Sequence, residues 1–263
     1  MSVNAKPIVI KIGGSTLSSS DTSLQDLATL QQQGYVPVVV HGGGPIITQW
    51  MERQGLRPRF VRGLRVTDAP SLEIVVAVLT GLINKQLVAS IEALGGTVVG
   101  LSGADGAILE AKITQPDLGF VGEIVRINAD PILCLMKEGY MPLLAPVGVS
   151  LPTDSEDECS LLNINGDTVA GHLAWALDAD KLIFLTDVEG VLDSSSQRIS
   201  RLTAGEAQGL IASGVAVGGM IPKLEASIKA LERVPAVHIV DGRSPQALLR
   251  AIDGSDGGGT WLT

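Results

Sequence analysis

The chain has 263 residues, of which 45% are hydrophobic, 18% charged and 3% aromatic, and its formal net charge is −9. This balance excludes a disordered chain, and it disfavours nucleic-acid binding, which relies on clustered Lys and Arg and on stacking rings. Glycine is abundant, with 31 residues, but it follows no G-X-Y period, which excludes a collagen-like chain. The length allows one or two domains that each bury a proper core.

The two cysteines offer neither a disulfide framework nor zinc-ligand spacing. Cys134 lies within the apolar run 132–136 and is predicted to be a small core residue, whereas Cys159 lies in an acidic stretch that we expect to be exposed. The N-terminus shows no signal peptide, and no uninterrupted apolar run approaches the ~18 residues of a membrane span. We therefore expect a cytoplasmic protein with no membrane partner.

Short runs of Val, Ile and Leu alternate along the chain with segments of helical periodicity. The predicted strands span 8–12, 36–40, 97–101, 141–149, 181–186 and 237–240. The predicted helices span 24–33, 45–54, 71–94, 131–138, 167–177, 204–213, 223–232 and 245–252. Two further segments, 57–67 and 108–128, are predicted to form hairpins or short antiparallel strands. Capping signals mark helix starts at Ser71, Pro131 and Ser244-Pro245.

The alternation of strands and helices predicts the fold class. Most predicted strands are continuously apolar, which is typical of parallel strands covered by helices on both faces. We expect an α/β protein, an open αβα sandwich with a mainly parallel central sheet. A lobe boundary is predicted near residue 177, dividing one compact domain into an N-lobe, 1–177, and a C-lobe, 178–263.

Glycines cluster where three predicted strands end. The clusters are Gly13-Gly14, Gly42-Gly43-Gly44, and the group Gly100, Gly103 and Gly106. In an open parallel sheet, ligands bind at the carboxyl ends of strands, and glycine lets backbone N–H groups approach a phosphate. Any one cluster is explained equally well by an ordinary tight turn, but three at strand ends favour a phosphate-binding surface.

Several other site types are missing from the sequence. It contains no Walker loop, no dinucleotide fingerprint, no protein-kinase signature and no nucleophile elbow. The histidines His41, His172 and His238 are isolated, and structural roles are expected for the last two. The sequence therefore predicts no metal-ligand cluster.

Four charged residues are candidates for chemistry. Lys11 lies inside an apolar strand, where a lysine is costly to bury without a partner, unless it snorkels at the strand edge. Asp167 opens a predicted helix and is explained equally by capping. Lys223 begins another helix, where a solvated surface lysine is the alternative. Arg65 is suited to gripping a carboxylate or phosphate, or it is simply a hairpin charge.

Together these segments resemble the amino acid kinase family, nearly from end to end. The shared motifs, in family order, are K-x-G-G at Lys11, H-G-G-G-P at His41, N-x-N-x-D ending at Asp167, T-D-V-x-G-V-L around Asp187 and G-G-M-I-P-K ending at Lys223. Segments 63–68, G-L-R-V-T-D, and 81–85, G-L-I-N-K, resemble the acetylglutamate kinases of that family in particular. The resemblance, and not the spacing of the residues, indicates the substrate.

The resemblance implies a reaction in which ATP phosphorylates the γ-carboxylate of N-acetyl-L-glutamate, a step of arginine biosynthesis. Mg²⁺ is expected on the ATP phosphates and water, without a protein ligand. A glutamyl carboxyl group has a pKa of about 4.3, so the nucleophile is ionised at pH 7 and no general base is needed. The enzyme must instead hold two anions in line and neutralise the transferring phosphoryl group, which suits lysines and backbone N–H groups.

The resemblance also implies roles for individual residues. Lys11 and Lys223 would stabilise the transferring phosphoryl group, and Asp167 would orient both lysines. The implied acceptor site consists of Gly43, Gly44, Arg65 and Asn163, with Gly44 also donating its N–H to the phosphoryl oxygens. The implied phosphoryl and nucleotide site consists of Gly13, Gly14, Asp187, Val188, Gly190, Val191, Leu192, Val215, Ala216 and Val217.

One departure from the family pattern keeps an alternative open. Gly166 stands where the family usually has alanine, and glycine also occurs there in relatives that phosphorylate a glutamate or aminoadipate unit on an acidic carrier protein. Segment 63–68 and the charge of −9 disfavour a carrier, whereas the arginines within 57–65 could provide a local basic patch for one. A second alternative is an amino-acid-binding regulatory module, against which the retention of both lysines and Asp167 argues.

The N-terminus carries a prediction about assembly. Arginine-inhibited members of the family have an N-terminal helix before the first strand, and that helix links dimers into hexamers. Here the first predicted strand begins at Ile8, which leaves too little chain for such a helix at 1.5 Å per residue. We therefore expect an arginine-insensitive homodimer.

Overall fold

The computed structural model describes residues 6–13, 22–150, 160–254 and 258–263. Its strands are β1 (Ile8–Ile12), β2 (Val38–His41), β3 (Phe60–Val61), β4 (Leu64–Arg65), β5 (Val98–Ser102), β6 (Leu109–Ile113), β7 (Gly122–Ile127), β8 (Met141–Ala145), β9 (Val147–Ser150), β10 (Ser160–Asn163), β11 (Lys181–Thr186), β12 (Arg201–Leu202), β13 (Val237–Asp241) and β14 (Thr260–Leu262). Its helices are α1 (Ser23–Gln32), α2 (Gly44–Arg53), α3 (Ala69–Val76), α4 (Asn84–Ala93), α5 (Asp130–Lys137), α6 (Gly166–Ala176), α7 (Ala204–Ala212), α8 (Met220–Ala230) and α9 (Ala247–Asp253). A π-helical segment, Ala77–Ile83, joins α3 to α4, and 3₁₀ turns span Asp105–Ala107 and Pro116–Leu118. Gly14 and Cys159, for which predictions were made above, lie outside the described residues.

The central sheet has eight strands in the order β12-β14-β13-β11-β1-β2-β8-β5. Each adjacent pair is parallel except β13 with β14, so the predicted open and mainly parallel sheet is confirmed. Because side chains alternate along a strand, Val9 of β1 packs into one core, and Ile8, Ile10 and Ile12 pack into the core on the opposite face. The same alternation assigns Lys11 to the face of Val9.

Helices cover both faces of the central sheet. The core on the Val9 face contains residues of α5, α6 and α8, such as Ile132, Val169 and Leu224. The core on the other face contains residues of α1 and α2, such as Leu27 and Ile47. The central strands are apolar on both faces because both faces are buried.

The segment 141–149, predicted as one strand, forms two. β8 belongs to the central sheet, and β9 belongs to a second sheet of order β10-β9-β6-β7. Pro146 separates them, since its ring fixes φ and provides no N–H for a sheet ladder. The prediction missed the break because the residues on both sides of Pro146 are buried and apolar.

The two predicted hairpins are confirmed, since β3 pairs with β4 and β6 pairs with β7 in antiparallel fashion. Three strands were not predicted: β10, β12 and β14. Each has only two to four residues, and β12 and β14 lie at one edge of the central sheet. Strands this short carry too little periodicity to be recognised in a sequence.

Three local predictions were wrong. The cap of α3 is Asp68, whose carboxylate accepts from the N–H of Ser71 at 3.0 Å, so Ser71 lies inside the helix. Helix α9 begins at Ala247 rather than at Pro245. Cys134 is exposed, because its apolar run forms the helix α5, in which Ile132 faces the core. Pro131, in contrast, lies in the first turn of α5 as predicted.

The stretch Ala69–Ala93 has 25 residues and is long and apolar enough to cross a membrane by length and composition alone. It contains α3, the π-helical segment and α4. Its side chains Val75, Leu79 and Ile91 are buried in the core of the central sheet. This packing is that of a core helix.

The predicted lobe boundary lies between α6 and β11. β11 pairs with β1 along its length, so the central sheet continues across the boundary. The division into two lobes stays a prediction.

Candidate active site

Three charged side chains meet on the Val9 face of the central sheet, and we call them the charged triad: Lys11, Asp167 and Lys223. The Nζ atom of Lys11 lies 2.7 Å from Oδ1 of Asp167, and Nζ of Lys223 lies 3.0 Å from Oδ2. The three side chains are only 12%, 9% and 7% exposed, respectively. Neither the snorkelling alternative for Lys11 nor the surface alternative for Lys223 is therefore correct.

The position of Asp167 follows from the start of α6. The cap of that helix is Asn165, whose side-chain oxygen accepts from the N–H groups of Asp167 and Thr168 at 2.8 and 3.1 Å. Asp167 is therefore not the cap, and its carboxylate is free to bridge two lysines from different elements, β1 and α8.

The distance between Asp167 and Lys223 depends on how closely α6 and α8 cross. At the crossing, Gly171 packs on the backbone of Ala226, and a Cβ on Gly171 would overlap the Ala226 carbonyl oxygen and lie 2.9 Å from its Cα. Asp167 precedes Gly171 by one helical turn, and Lys223 precedes Ala226 by nearly one turn. A bulkier residue at 171 would push the two charges apart.

The electrostatics of the triad favour an anionic ligand. Burial alone would raise the pKa of Asp167, but Lys11 and Lys223 more than offset it and lower that pKa to about 2. Burial lowers the pKa of Lys223, and the ion pair with Asp167 opposes this effect. One carboxylate between two ammonium groups leaves one net positive charge in a buried place, which an anion can neutralise.

The glycine loop, Gly42–Gly44, connects β2 to α2 beside the triad. Gly43 is the residue before α2, and a Cβ there would overlap Ile83 and lie 2.8 Å from Cδ2 of Leu79. A larger residue at this position would require Ile83 and Leu79 to shift. Because α2 has ten residues and begins at Gly44, its first N–H groups and the positive end of its dipole face whatever binds at the loop.

A cavity of about 190 Å³ opens beside the glycine loop, and we call it the glycine-loop cavity. The four residues predicted to bind the acceptor all line it: Gly43, Gly44, Arg65 and Asn163. Lys11, Asp167 and Gly166 line it as well, whereas Lys223 does not. Residues from distant parts of the sequence thus converge on one cavity.

Arg65 is held rigidly at the wall of this cavity. Its Nη2 donates to the carbonyl oxygen of Gly44 at 3.0 Å and to the hydroxyl of Thr48 at 2.9 Å, and its guanidinium lies over the Phe60 ring at 4.7 Å. No carboxylate pairs with Arg65 among the described parts of the chain. A fixed, buried guanidinium of this kind is suited to a carboxylate ligand.

Asn163, at the end of β10, donates from its amide to the hydroxyl of Thr67 at 2.9 Å. This bond uses one of the two amide hydrogens and orients the side chain at the cavity wall. Thr67 is buried beyond the end of the β3–β4 hairpin, so Asn163 ties the second sheet to the hairpin that carries Arg65.

Gly13, of the first strand-end cluster, donates its N–H to the carbonyl oxygen of Leu185 at 3.1 Å. That donor therefore holds the end of β1 to β11. Of the glycines predicted to give N–H groups to a phosphoryl group, Gly44 is described and lines the cavity. Gly14 lies outside the described residues.

The residues predicted to surround a nucleotide form two loops, which we call the β11 loop, 187–192, and the α7–α8 loop, 213–219. Neither loop lines the glycine-loop cavity. In the first, Gly190 and Val191 are buried, and the Val191 N–H donates to the hydroxyl of Thr260 at 2.8 Å. Val188 and Leu192 are exposed beside them. The buried pair thus anchors the loop, and the exposed pair offers an apolar surface.

The second loop has the same division between anchored and exposed residues. Ala216 is buried and donates its N–H to the carbonyl oxygen of Leu210 at 3.0 Å, while Val215 is half-buried and Val217 is 68% exposed. Asp187 of the β11 loop slightly opposes the lowering of the Lys223 pKa that burial causes, so that loop begins within electrostatic reach of the triad.

The hairpin also touches the α7–α8 loop. A Cβ on Gly63, which has a φ of +80°, would lie 2.8 Å from the carbonyl oxygen of Gly218. The turn that precedes Arg65 therefore packs on the loop that precedes Lys223.

The described residues contain no group of three or more His, Cys, Asp or Glu side chains that could hold a metal ion. Of the histidines, His238 has the structural role predicted for it. Its ring stacks on Trp261 at 3.7 Å, and its Nε2 donates to the carbonyl oxygen of Gly258. His172 is half-buried on α6, away from the triad and the cavity.

Sequence reasoning missed several residues that build the site. Thr48 and Phe60 hold Arg65, and Gly171 sets the crossing of α6 and α8. The spacing of Thr48, one helical turn after Gly44, is a usable signal for a side chain on the same face as the helix start. The role of Gly171 has no such signal, because it depends on contact with another helix.

Sequence comparison with known proteins shows the family of the chain. The model of the Amino acid kinase family matches residues 6–241. The chain belongs to the amino acid kinase family. It is 42% identical to an acetylglutamate kinase of Dehalococcoides mccartyi, over 93% of this chain and 90% of that relative. It is 44% identical to one of Thermoanaerobacter pseudethanolicus and 43% identical to one of Acaryochloris marina, in both cases over 98% of this chain.

Several solved structures have the same fold. The protein smu.665 of Streptococcus mutans UA159 is 32% identical, with a TM-score of 0.83 and coverage of 98% of each chain. The N-acetylglutamate synthase of Neisseria gonorrhoeae, solved with coenzyme A and N-acetyl-glutamate, is 25% identical with a TM-score of 0.81, over 98% of this chain and 59% of that one. A carbamate kinase of Giardia lamblia, at 16% identity and a TM-score of 0.69, shares the fold alone.

Proposed function

We propose that this amino acid kinase transfers the γ-phosphoryl group of ATP to the γ-carboxylate of N-acetyl-L-glutamate, giving N-acetylglutamyl 5-phosphate for arginine biosynthesis. The observation that carries the proposal is the buried charged triad at the edge of a cavity lined by a glycine loop, Arg65 and Asn163. The acetylglutamate kinases that are 41–45% identical support the same substrate.

The triad acts by electrostatics rather than by proton transfer. Both carboxylate oxygens of Asp167 lie within 3.0 Å of a lysine nitrogen, and the pKa of Asp167 is about 2, so it cannot serve as a base near neutral pH. The acceptor carboxylate needs no base, because it is already ionised. Lys11 and Lys223 instead neutralise charge on the phosphoryl oxygens, and Asp167 keeps the two ammonium groups apart and oriented.

The glycine-loop cavity holds the acceptor. Arg65 binds the α-carboxylate through its guanidinium, and Asn163 donates to the same group from its remaining amide hydrogen. The N–H groups of Gly43 and Gly44 bind at the start of α2, where its dipole favours negative charge. Arg65 is fixed by Gly44 and Thr48 before the acceptor arrives, so little side-chain entropy is lost on binding.

The β11 loop and the α7–α8 loop hold ATP. Val188, Leu192 and Val217 provide exposed apolar side chains that a base or ribose can cover. Both carboxylate oxygens of Asp167 are paired with lysines, so we assign Mg²⁺ to the ATP phosphates and water. Bound in that way, the ion neutralises phosphate charge.

The proposal includes a cytoplasmic homodimer and two lobes, an acceptor-binding N-lobe, 1–177, and a nucleotide-binding C-lobe, 178–263. Light scattering of the full chain is expected to give twice the chain mass of 27.3 kDa. A hexamer, or strong inhibition by L-arginine, would contradict this part of the proposal and leave the reaction itself untouched.

Trapping of the acyl phosphate tests the reaction. The full chain with ATP, Mg²⁺ and hydroxylamine is expected to form a hydroxamate and release ADP with N-acetyl-L-glutamate. N-Acetyl-L-glutamine is the matched control, because it keeps the α-carboxylate and the acetyl group but lacks the γ-carboxylate. No hydroxamate from acetylglutamate would overturn the proposal.

The same assay separates the alternatives. ADP release with a glutamate-bearing or aminoadipate-bearing acidic carrier protein, but not with free acetylglutamate, would favour the carrier-linked kinase. Calorimetric binding of acetylglutamate without any ADP release would favour an amino-acid-binding module.

A further inference from the structure

A buried polar network lies beneath the glycine loop, and the reaction described above does not use it. Its centre is His41, the last residue of β2, which is fully buried. Its Nδ1 lies 3.0 Å from the carbonyl oxygen of Gly42, the first residue of the glycine loop. A carbonyl oxygen can only accept, so Nδ1 carries the proton and the ring holds the Gly42 carbonyl away from the cavity side of the loop.

Asn84 holds the other side of the imidazole. Its Nδ2 lies 3.1 Å from Nε2 of His41, 3.0 Å from the carbonyl oxygen of Leu143 and 3.3 Å from that of Leu101. With Nδ1 protonated, Nε2 is the acceptor that this amide requires. The amide thus selects the same neutral tautomer as the Gly42 carbonyl does.

The orientation of the Asn84 amide is itself fixed. Nζ of Lys85 donates to Oδ1 of Asn84 at 3.0 Å and to the carbonyl oxygen of Gly100 at 2.9 Å. An ammonium group only donates, so Oδ1 must face Lys85 and Nδ2 must face His41. Gly100 makes room for this arrangement, because a Cβ there would overlap Oδ1 of Asn84.

The backbone explains how Asn84 reaches this position. The π-helical segment Ala77–Ile83 ends directly before Asn84, and such segments insert an extra residue per turn, often at functional sites. The same segment places Leu79 and Ile83 against Gly43. The segment therefore supports the glycine loop twice, through apolar contacts on Gly43 and through the Asn84–His41 bond behind Gly42.

We infer that Asn84 is a positioning residue for phosphoryl transfer. It fixes His41 in one neutral tautomer, His41 fixes the carbonyl of Gly42, and the peptide planes of the loop then present the N–H groups of Gly43 and Gly44 to the ligand. This inference rests on the proposed kinase reaction, and it adds residues that do not line the cavity.

The surroundings of His41 keep its imidazole ring neutral. The pKa of His41 is lowered to about 4, mainly by burial; the Gly42 carbonyl opposes this effect, and Lys11 on β1 and Lys85 on α4 add to it. His41 consequently stays neutral through the neutral pH range, and the network behaves as a fixed support rather than as a titrating group.

Replacing Asn84 by aspartate tests the inference with two independent readouts. Asn84→Asp puts a carboxylate against Nε2, which favours a proton there, so ¹⁵N NMR is expected to show imidazolium nitrogen shifts for His41 at pH 7 and a raised pKa. The kcat for acetylglutamate is expected to fall by about 10- to 100-fold with a smaller change in KM, since a misplacement of 1 Å costs on the order of 10² in rate. Asn84→Ala removes the donor to Nε2, so it is expected to change the ¹⁵N shift of that nitrogen and to give a similar loss of kcat.

Ile91→Val is the matched control. Ile91 is buried on the same helix, and its truncation lowers thermal stability without touching His41. Unchanged His41 shifts in both Asn84 variants, or a wild-type kcat, would overturn the inference. A loss of kcat in Ile91→Val equal to that in Asn84→Ala would also overturn it, because the effect would then follow stability alone.

A milder variant covers the case in which the Asn84 variants do not fold. Lys85 is exposed, so Lys85→Met is expected to fold while removing the donor that orients the amide. Altered His41 shifts with a smaller loss of kcat are expected, and unchanged shifts would overturn the inference. The NMR readout needs no substrate, so a protein inactive on acetylglutamate would contradict the proposed function and still leave the network tested.

Discussion

The proposed acceptor side of the site, around the glycine-loop cavity, and the proposed nucleotide side, made of the β11 loop and the α7–α8 loop, differ in how firmly they are built. On the acceptor side, Arg65 is buried and held by Gly44, Thr48 and Phe60, and the glycine loop packs on the π-helical segment. On the nucleotide side, Gly190, Val191 and Ala216 are anchored, but Val188, Leu192 and Val217 remain exposed. The charged triad lies between the two sides.

The difference indicates where specificity resides. A cavity whose donors are fixed in advance discriminates strongly between acceptors, because a wrong ligand leaves buried polar groups unpaired. An exposed apolar surface discriminates weakly, since it gains mainly from covered area. Substitutions on the acceptor side should therefore be costly and selective, and those on the nucleotide side should be mild.

Asp167→Asn should have the largest effect on kcat, because it removes the negative charge of the triad, which lies between the two sides. Two buried ammonium groups would then face a neutral amide, and kcat is expected to fall by about 10³. Asp178→Asn is the matched control, since it makes the same chemical change in an exposed pair with Lys6. Steady-state kinetics on both variants checks this, and comparable activities would contradict the role of the triad.

Asp167→Asn should also change how the stability of the fold depends on pH in acid. The pKa of Asp167 is lowered from 3.8 to about 2, so its carboxylate stabilises the fold fully above pH 3.8, and this stabilisation is lost as pH falls towards 2. Asp167→Asn should therefore weaken the pH dependence of unfolding between those values and leave it unchanged near pH 7. Urea unfolding at several pH values measures it.

Lys223→Ala should lower kcat by at least about 10², typical of losing one electrostatic stabiliser. Lys229→Ala, a lysine on the same helix paired with Glu232 at the surface, serves as control. Initial-rate measurements distinguish the two. Near-normal turnover in Lys223→Ala would mean that Lys11 alone supplies the positive charge.

Arg65→Ala should act mainly on acceptor binding, and it therefore tests whether the acceptor side is the selective one. Its KM for acetylglutamate is expected to rise by about 10- to 100-fold, as for a lost charge-assisted bidentate bond, while the KM for ATP changes little. Arg126→Ala, which breaks the exposed pair with Glu110, controls for the loss of one positive charge. An unchanged acceptor KM would contradict the acceptor role.

Val217→Ala should have a mild effect, as expected for an exposed residue of the proposed nucleotide side. We expect the KM for ATP to rise by about threefold, because part of one side chain's apolar area is lost. Val125→Ala makes the same truncation at an exposed position of β7. A large rise in the ATP KM would show that the nucleotide side is more selective than its exposure indicates.

Gly166→Ala should have the smallest effect on the acetylglutamate reaction. A Cβ there would lie 3.6 Å from Cε of Lys11 and 3.7 Å from the His41 carbonyl oxygen, which are ordinary contacts. We expect kcat/KM to change by less than about threefold, because the added methyl group fits without displacing its neighbours. A large loss would mean that the acceptor occupies this space, as a carrier-linked chain could. Gly171→Ala is the contrasting control, because its Cβ has no room.

Much of the fold could be predicted because it follows from local patterns. Continuous apolar strands predicted a buried parallel sheet, and side-chain alternation along β1 is sufficient to assign Lys11 to one face. The break at Pro146 was missed because burial on both sides kept the pattern apolar. The exposure of Cys134 was missed because an apolar run does not state which of its residues face the core.

Only the part of the site that lies in recognisable sequence motifs could be predicted. Lys11, Asp167, Lys223 and Arg65 stood out from their positions in the sequence, and the resemblance to a family indicated their roles. Asn84 and Gly171 act through contacts with residues more than 40 positions away in sequence, Asn84 with His41 and Gly171 with Ala226. The extra residue per turn in Ala77–Ile83 also leaves no mark in a sequence whose periodicity predicts an ordinary helix.

The order of strands at the centre of the sheet sets the distance between the two loops that the proposed reaction uses. β1 lies between β2, which leads into the glycine loop, and β11, which leads into the loop assigned to ATP. Neighbouring strands are spaced by about 4.8 Å, so the two loops start about 10 Å apart, with Lys11 on the strand between them. Hydrogen-bonded backbone sets this span, so it does not depend on which side chains the two loops carry. A change of residues in either loop therefore leaves the distance between the two loop starts as the sheet sets it.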